Sequence, residues 1–230
     1  MQTSMVFNQV KWPAAGDVDD CWVLSALQCV NVTAPWQFLY SVKSFRKAAG
    51  DPDDGVKDGG TLAEIIKGVT TLYPVYTGKL TKLAGNPWTD FTRMASSHRP
   101  LSVSVVSARL PARLQFGFKG YHQISVAVKD DGRWLVANPL APVYSRWVQV
   151  VPEEIKAAIM AYGTAKGGKA SVYAVAFPDD AVMAATYAAH TDTTPFDQDD
   201  VDRITAAVAA ERDELAGRID QAQDVLDGVE

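Results

Sequence analysis

The sequence predicts an α+β domain in which a helical half comes first and an antiparallel sheet half second, and three observations carry that expectation. Apolar residues recur at helical spacing in the first part of the chain, as Leu62, Ile65, Ile66 and Val69 do. From Pro100 onward the period falls to two and β-branched residues take over, as in LSVSVV. A chain of 230 residues with 47% hydrophobic residues also has enough apolar surface to bury a core. Helices and strands in separate blocks give two unlike halves, and a cleft between such halves is a natural place for a ligand.

The first helix is expected to begin near Asp19 or Asp20, because Asp caps free backbone N–H groups and the following CWVLSALQCV is almost wholly apolar. Apolar on every side, this helix belongs in the core. A second helical stretch, WQFLYSVKSFRKAAG, closes on Gly50, and DPDDGVKDGG after it is a turn-rich loop. The third, TLAEIIKGVTTLY, opens with Thr61 and Glu64 at capping-box spacing. In the second half LSVSVVSARL alternates in part, and GYHQISVAVKDDGRWLVANP reads as two strands around a tight two-residue turn at Asp131-Gly132. In such a hairpin, residues whose numbers add to about 263 face each other, which sets His122 about three residues of register from Asn138. SRWVQVVP and ASVYAVAFP are two further short strands, with EEIKAAIMAYG a helix between them.

The C-terminal stretch is a different object. From His190 to Glu230 there are twelve Asp and Glu against three Lys and Arg, which leaves fifteen acids and nineteen bases for the body. Residues 1–178 are therefore taken as the folded domain, 179–202 as an acidic linker and 203–230 as an amphipathic or coiled-coil helix. In that last segment Ile204, Val208, Glu211, Leu215, Arg218 or Ile219, Ala222 and Leu226 fall at alternating spacings of four and three, an imperfect heptad seam. Such a helix straps onto its own domain, pairs with a second copy or docks on a larger assembly. No run of eighteen apolar residues occurs, and Met1 to Lys11 lacks the form of a signal peptide, so a soluble protein made in a cytoplasm, without a membrane span, is expected. No Lys/Arg cluster interleaved with aromatics points to nucleic acid. No GxxxxGK[ST], GxGxxG or HExxH motif points to a nucleotide or zinc, so neither cofactor nor metal is expected. Cys21 and Cys29, eight residues apart on one helix, stand about 12 Å from each other, too far for a disulfide.

What remains are groups suited to acyl transfer. Cleaving an amide with a thiol needs a thiolate, a base that passes the proton to the leaving group, and donors for the oxyanion. Cys21 opens an apolar helix, where unpaired N–H groups and the helix dipole favour the thiolate, whereas Cys29, deep in the same helix, reads as a structural thiol. His122 opens a strand and suits the base. Asn138, at the end of the next strand, can accept the ring N–H and hold one tautomer in one orientation. Carboxylates at Asp17, Asp19 and Asp20 would raise the thiol's pKa unless they turn outward as helix caps. The same Asp-x-Asp-Asp run is also a fragment of a calcium loop, without that loop's glycine and distal glutamate. His98 in SSHRP and His190 in the acidic stretch read as solvated surface residues, and Trp22 as core or cleft wall.

These residues stand in surroundings that resemble a known group of enzymes. GDVDDCWVLSAL resembles the nucleophile helix of calpains and other papain-like peptidases, GYHQISVAV with WLVANP resembles their base strand and Asn-Pro step, and the order Cys, His, Asn is theirs. DGGTLAEIIKGVTTLYP and RPLSVSVV look like the branch related to bacteriocin-processing enzymes, and the resemblance spans roughly residues 9 to 178. It implies a papain-like fold and a cysteine peptidase or amidase working through a thioester, with Cys21 as nucleophile, His122 as base and Asn138 as the orienting residue. The family's oxyanion glutamine, about six residues before the cysteine, has no counterpart: that position is Ala15, and Gln9 could serve only if KWPAAGDV folds back. A compact domain with an acidic helical tail further resembles a phage virion or tail component. That implies peptides or cell-wall peptide cross-links as substrate, and other virion proteins or a second copy as partners of the tail helix. A catalytically inactive structural or binding module of a particle, and a protease that processes assembly proteins, are the other expectations left open.

Overall fold

A computed structural model describes residues 20–34, 37, 39–51, 59–141 and 147–191. Helix α1 (Cys21–Thr33) is buried at every position but Asn31, as its all-round apolar sequence demands. Asp20 precedes it but does not cap it: the carboxylate makes no bond to the helix N-terminus and pairs with Arg46 instead. Helix α2 (Val42–Ala49) is shorter than the helical stretch expected, because Ser41 accepts a hydrogen bond from the Ser44 N–H and so starts the helix there. Gly50, at φ 88°, ends it. Helix α3 (Leu62–Leu72) carries the expected capping box, Thr61 accepting from the Glu64 N–H and Glu64 from the Thr61 N–H. The three helices share a core in which the Trp22 and Phe45 rings meet edge to face at 5.7 Å. A Cβ on Gly60 would overlap the Trp22 ring, so the chain passes there only as glycine.

The second half is one antiparallel sheet of six strands: β1 (Thr81–Asn86), β2 (Leu101–Val106), β3 (Tyr121–Val128), β4 (Trp134–Ala137), β5 (Val148–Val150) and β6 (Val172–Ala176), ordered β1-β6-β2-β3-β4-β5. The α+β class expected from the pattern is the class observed. Strand β1 and helix α4 (Trp88–Ser96) were not anticipated: TKLAGN buries only Leu83, and it lies at the sheet's edge with its register interrupted at Gly85, φ 72°. Two further helices, the four-residue α5 (Ala112–Gln115) and the sixteen-residue α6 (Pro152–Gly167), complete the frame.

The β3–β4 hairpin corrects the expected register by one residue. Its loop is Asp130–Gly132 rather than a two-residue turn, with the Gly132 N–H bonded to the Lys129 carbonyl, the Lys129 N–H to the Arg133 carbonyl, and Gly132 left-handed at φ 80°. Ser125 therefore faces Ala137 and Val128 faces Trp134, and Asn138 comes opposite Ile124. Because side chains alternate faces, that single residue decides which face Asn138 shares: here it is the face of His122 and Ile124.

The two faces of the sheet differ in chemistry. Val103, Val105, Ile124 and Val126 pack with Phe91 of α4 and Ile155 and Ile159 of α6. The opposite face presents Ser102, Ser104, Gln123 and Ser125, all buried, to α1. There the Ser25 hydroxyl bonds those of Ser102 (2.8 Å) and Ser125 (3.0 Å), Ser125 donates to Gln28 Oε1 (2.6 Å), and Gln123 bridges Ser102 and Ser104. Each polar group on this seam answers another, which is the condition for burying them.

Asp180–Thr191, counted above with the linker, is a helix, α7, whose Met183 is buried with the α1–α3 core. The chain divides into two compact units, Met1–Thr186 and Tyr187–Glu230. The expected helix over 203–230 lies outside the described residues. No helix among the described residues is long and apolar enough to cross a membrane.

Candidate active site

His122 and Asn138 meet. His122 Nε2 is 2.8 Å from Asn138 Oδ1, and both residues are 3% exposed. The rest of the Asn138 amide settles which atom plays which part. Its Nδ2 donates to the Leu114 carbonyl of α5 (2.7 Å), and its Oδ1 also accepts the Leu140 N–H (2.8 Å). A carbonyl only accepts and an N–H only donates, so the amide has one possible orientation. Oδ1 therefore faces the ring, and Nε2 must carry the proton. The neutral ring then keeps its lone pair on Nδ1, which is buried and has no hydrogen-bond partner among the described residues. Burial pulls the His122 pKa down to about 4, the Asn138 bond opposing it, so the imidazole is uncharged at neutral pH. The Phe118 ring closes edge-on over the imidazole at 5.6 Å.

Cys21 is the first residue of α1 and 7% exposed. The helix packs on the sheet's polar face. Its second half touches the end where β2 begins, through the Tyr76 hydroxyl on the Val30 carbonyl and the Tyr76 ring on Phe177. Its middle sits on Ser102 and Ser125. Cys21 lies one further turn, about 6 Å, toward the helix N-terminus from Ser25. By alternation the His122 side chain leaves β3 from the face opposite Ser125. As the second residue of its strand it lies at the sheet's rim, so the thiol and imidazole can meet only around that rim. Cys29 is fully buried, and burial pushes its thiol pKa far up, which makes it inert. No disulfide joins the two cysteines.

The carboxylate next to the thiol is matched by a charge that sequence reasoning missed. Arg46 Nη1 is 2.8 Å from Asp20 Oδ1, and its Nη2 is 3.1 Å from Asp51 Oδ2, all three residues being buried. A signal was present: an acidic residue leading into a buried helix requires a nearby cation. Gln9, Ala15, Asp17 and Asp19 lie outside the described residues. Trp22, 1% exposed, is core. His98 occupies a turn at φ 59° and is half-exposed, with Nδ1 3.3 Å from the Val128 carbonyl and 3.5 Å from Asp130. It does not join the site.

No protein-family model and no curated protein matches the chain. Among solved structures it is similar to a candidate C39-like peptidase from Bacillus anthracis, with a TM-score of 0.47 and 13% identity over 75% of this chain and 96% of that one.

Proposed function

We propose that the chain is a cysteine peptidase or amidase in which Cys21 attacks, His122 carries the proton and Asn138 holds the ring. The observation that supports this most is the pinned imidazole, whose Nδ1 lone pair is buried without a partner among the described residues. For a histidine with only a structural task that arrangement costs free energy with no return. For a general base it is the state needed at neutral pH. In the proposed reaction the thiol proton moves to Nδ1 as sulfur bonds to the substrate's carbonyl carbon. The imidazolium then gives that proton to the leaving nitrogen as the C–N bond breaks. Water attacks the resulting thioester, Nδ1 takes its proton, and the proton returns to sulfur as the C–S bond breaks. The Cys21 backbone N–H is one oxyanion donor in this scheme and Gln9 the candidate for the second.

Peptides are the substrate class. The narrower setting, cell-wall peptide cross-links cut by a virion-borne enzyme, is motivated by the basic body and acidic tail of the sequence. Alkylation by iodoacetamide near pH 7 tests the chemistry: Cys21 should react faster than a free thiol and Cys29 should not react. Hydrolysis of peptidoglycan peptides or of particle proteins should vanish in Cys21→Ala. Ordinary reactivity at Cys21, or full hydrolysis by that variant, overturns the proposal. Alanine at position 15, where the family keeps its oxyanion glutamine, favours a second reading, an inactive module. A hyper-reactive Cys21 with no turnover on either substrate class would select it.

A further inference from the structure

We infer that Arg46 is a positioning residue for the nucleophile: through its buried ion pair with Asp20 it sets how readily Cys21 ionises. The inference rests on Cys21 being the nucleophile proposed above. Asp20 directly precedes Cys21 and is 7% exposed, so its charge is poorly screened by water. A carboxylate about 6 Å from a thiol, at an effective dielectric near 20, raises the thiol pKa by roughly two units. A guanidinium 2.8 Å from that carboxylate offsets most of its field at the thiol, while Asp51, on the guanidinium's other nitrogen, leaves the trio with a net charge of −1 centred on the side away from Asp20.

Two details show that the pair is built for more than filling space. Asp20 stands where a helix cap belongs, yet its carboxylate makes no capping bond and turns to α2, twenty-six residues along the chain. Its partner is an arginine, which reaches Asp20 with one Nη and Asp51 with the other, a span that a lysine's single ammonium does not reproduce.

A structural tie between α1 and α2 would use the same contacts, so the test must read ionisation and not stability alone. The rate of iodoacetamide alkylation of Cys21 is followed against pH in the full chain, with the modified cysteine identified by peptide mass. Asp20→Asn, nearly isosteric, should lower the midpoint by about one unit, and Arg46→Met should raise it by one to two. The double variant should return close to the wild-type midpoint. Opposite shifts from the two partners of one ion pair are what charge tuning requires, whereas loss of a structural tie moves thermal stability in the same direction for both. Should Arg46→Met fail to fold, Asp20→Asn decides alone: a midpoint within 0.3 units of wild type overturns the inference. A wild-type midpoint at the ordinary cysteine value of about 8.5 sinks the nucleophile reading itself. A depressed midpoint that neither substitution moves removes only the role given to Arg46.

Discussion

Lowering the pH from 7.5 to 5 should destabilise the protein by about 2 kcal/mol through His122 alone. In the folded chain its pKa is held at about 4 by burial, and in the unfolded chain it returns to about 6.5. Between those values the unfolded state binds more protons than the folded one, so unfolding free energy falls as the solution is acidified. Integrating the difference gives about 2 kcal/mol at pH 5 and about 3 kcal/mol below pH 4, with no contribution above about pH 7. Carboxylates also titrate in this window, so the measurement is a difference. Urea unfolding of wild type and His122→Gln at pH 7.5, 6 and 5 should show wild type losing about 2 kcal/mol relative to the variant. A difference constant to within about 0.5 kcal/mol would refute the buried neutral imidazole. A relative gain on acidification would mean that the ring is already an imidazolium paired with a thiolate.

Other perturbations have equally definite outcomes. Asn138→Ala strands the His122 Nε2–H, the Leu140 N–H and the Leu114 carbonyl; at about 1–3 kcal/mol each, partly relieved by entering water, stability should drop by about 3–5 kcal/mol. An unchanged urea midpoint would contradict that network. Gly163→Ala improves helix propensity by about 1 kcal/mol, but its Cβ would overlap the Ser171 backbone. Since backbone cannot swing aside, a net loss of about 1–2 kcal/mol is expected, and a raised Tm would count against it. Ser125→Ala removes the hydroxyl that donates to Gln28 and bonds Ser25. It should cost about 2 kcal/mol, measured by chemical unfolding, while the isosteric Ser125→Cys should cost less.

The elements legible in the sequence are those whose pattern their own neighbours enforce. Helix α1 is apolar all round because it is buried all round, and α3 carries its cap in its own residues, Thr61 and Glu64. His122 and Asn138 could be paired because hairpin strands are local partners. What escaped depends on contacts between distant segments. Strand β1 is written in Thr, Lys, Gly and Asn because only Leu83 faces the core, and β6, its partner, lies some ninety residues further on. Asp20 resembles a cap until Arg46 is in place across the helix interface. The hairpin register failed by one because Asp131-Gly132 fits a two-residue turn as well as the end of a longer loop with Gly132 left-handed.

That loop has a consequence for how the protein can vary. Surface turns usually tolerate the gain or loss of a residue, since nothing packs on them. Here the loop's closing contact, the Lys129 N–H on the Arg133 carbonyl, determines which wall of the sheet receives every side chain of β4. A slip of one residue in that pairing would carry Asn138 to the wall lined by serines and glutamine, and bring Ala137 or Pro139 to the imidazole in its place. The pairing that an exposed turn enforces is thus as much a requirement of the histidine's setting as any residue that touches the ring.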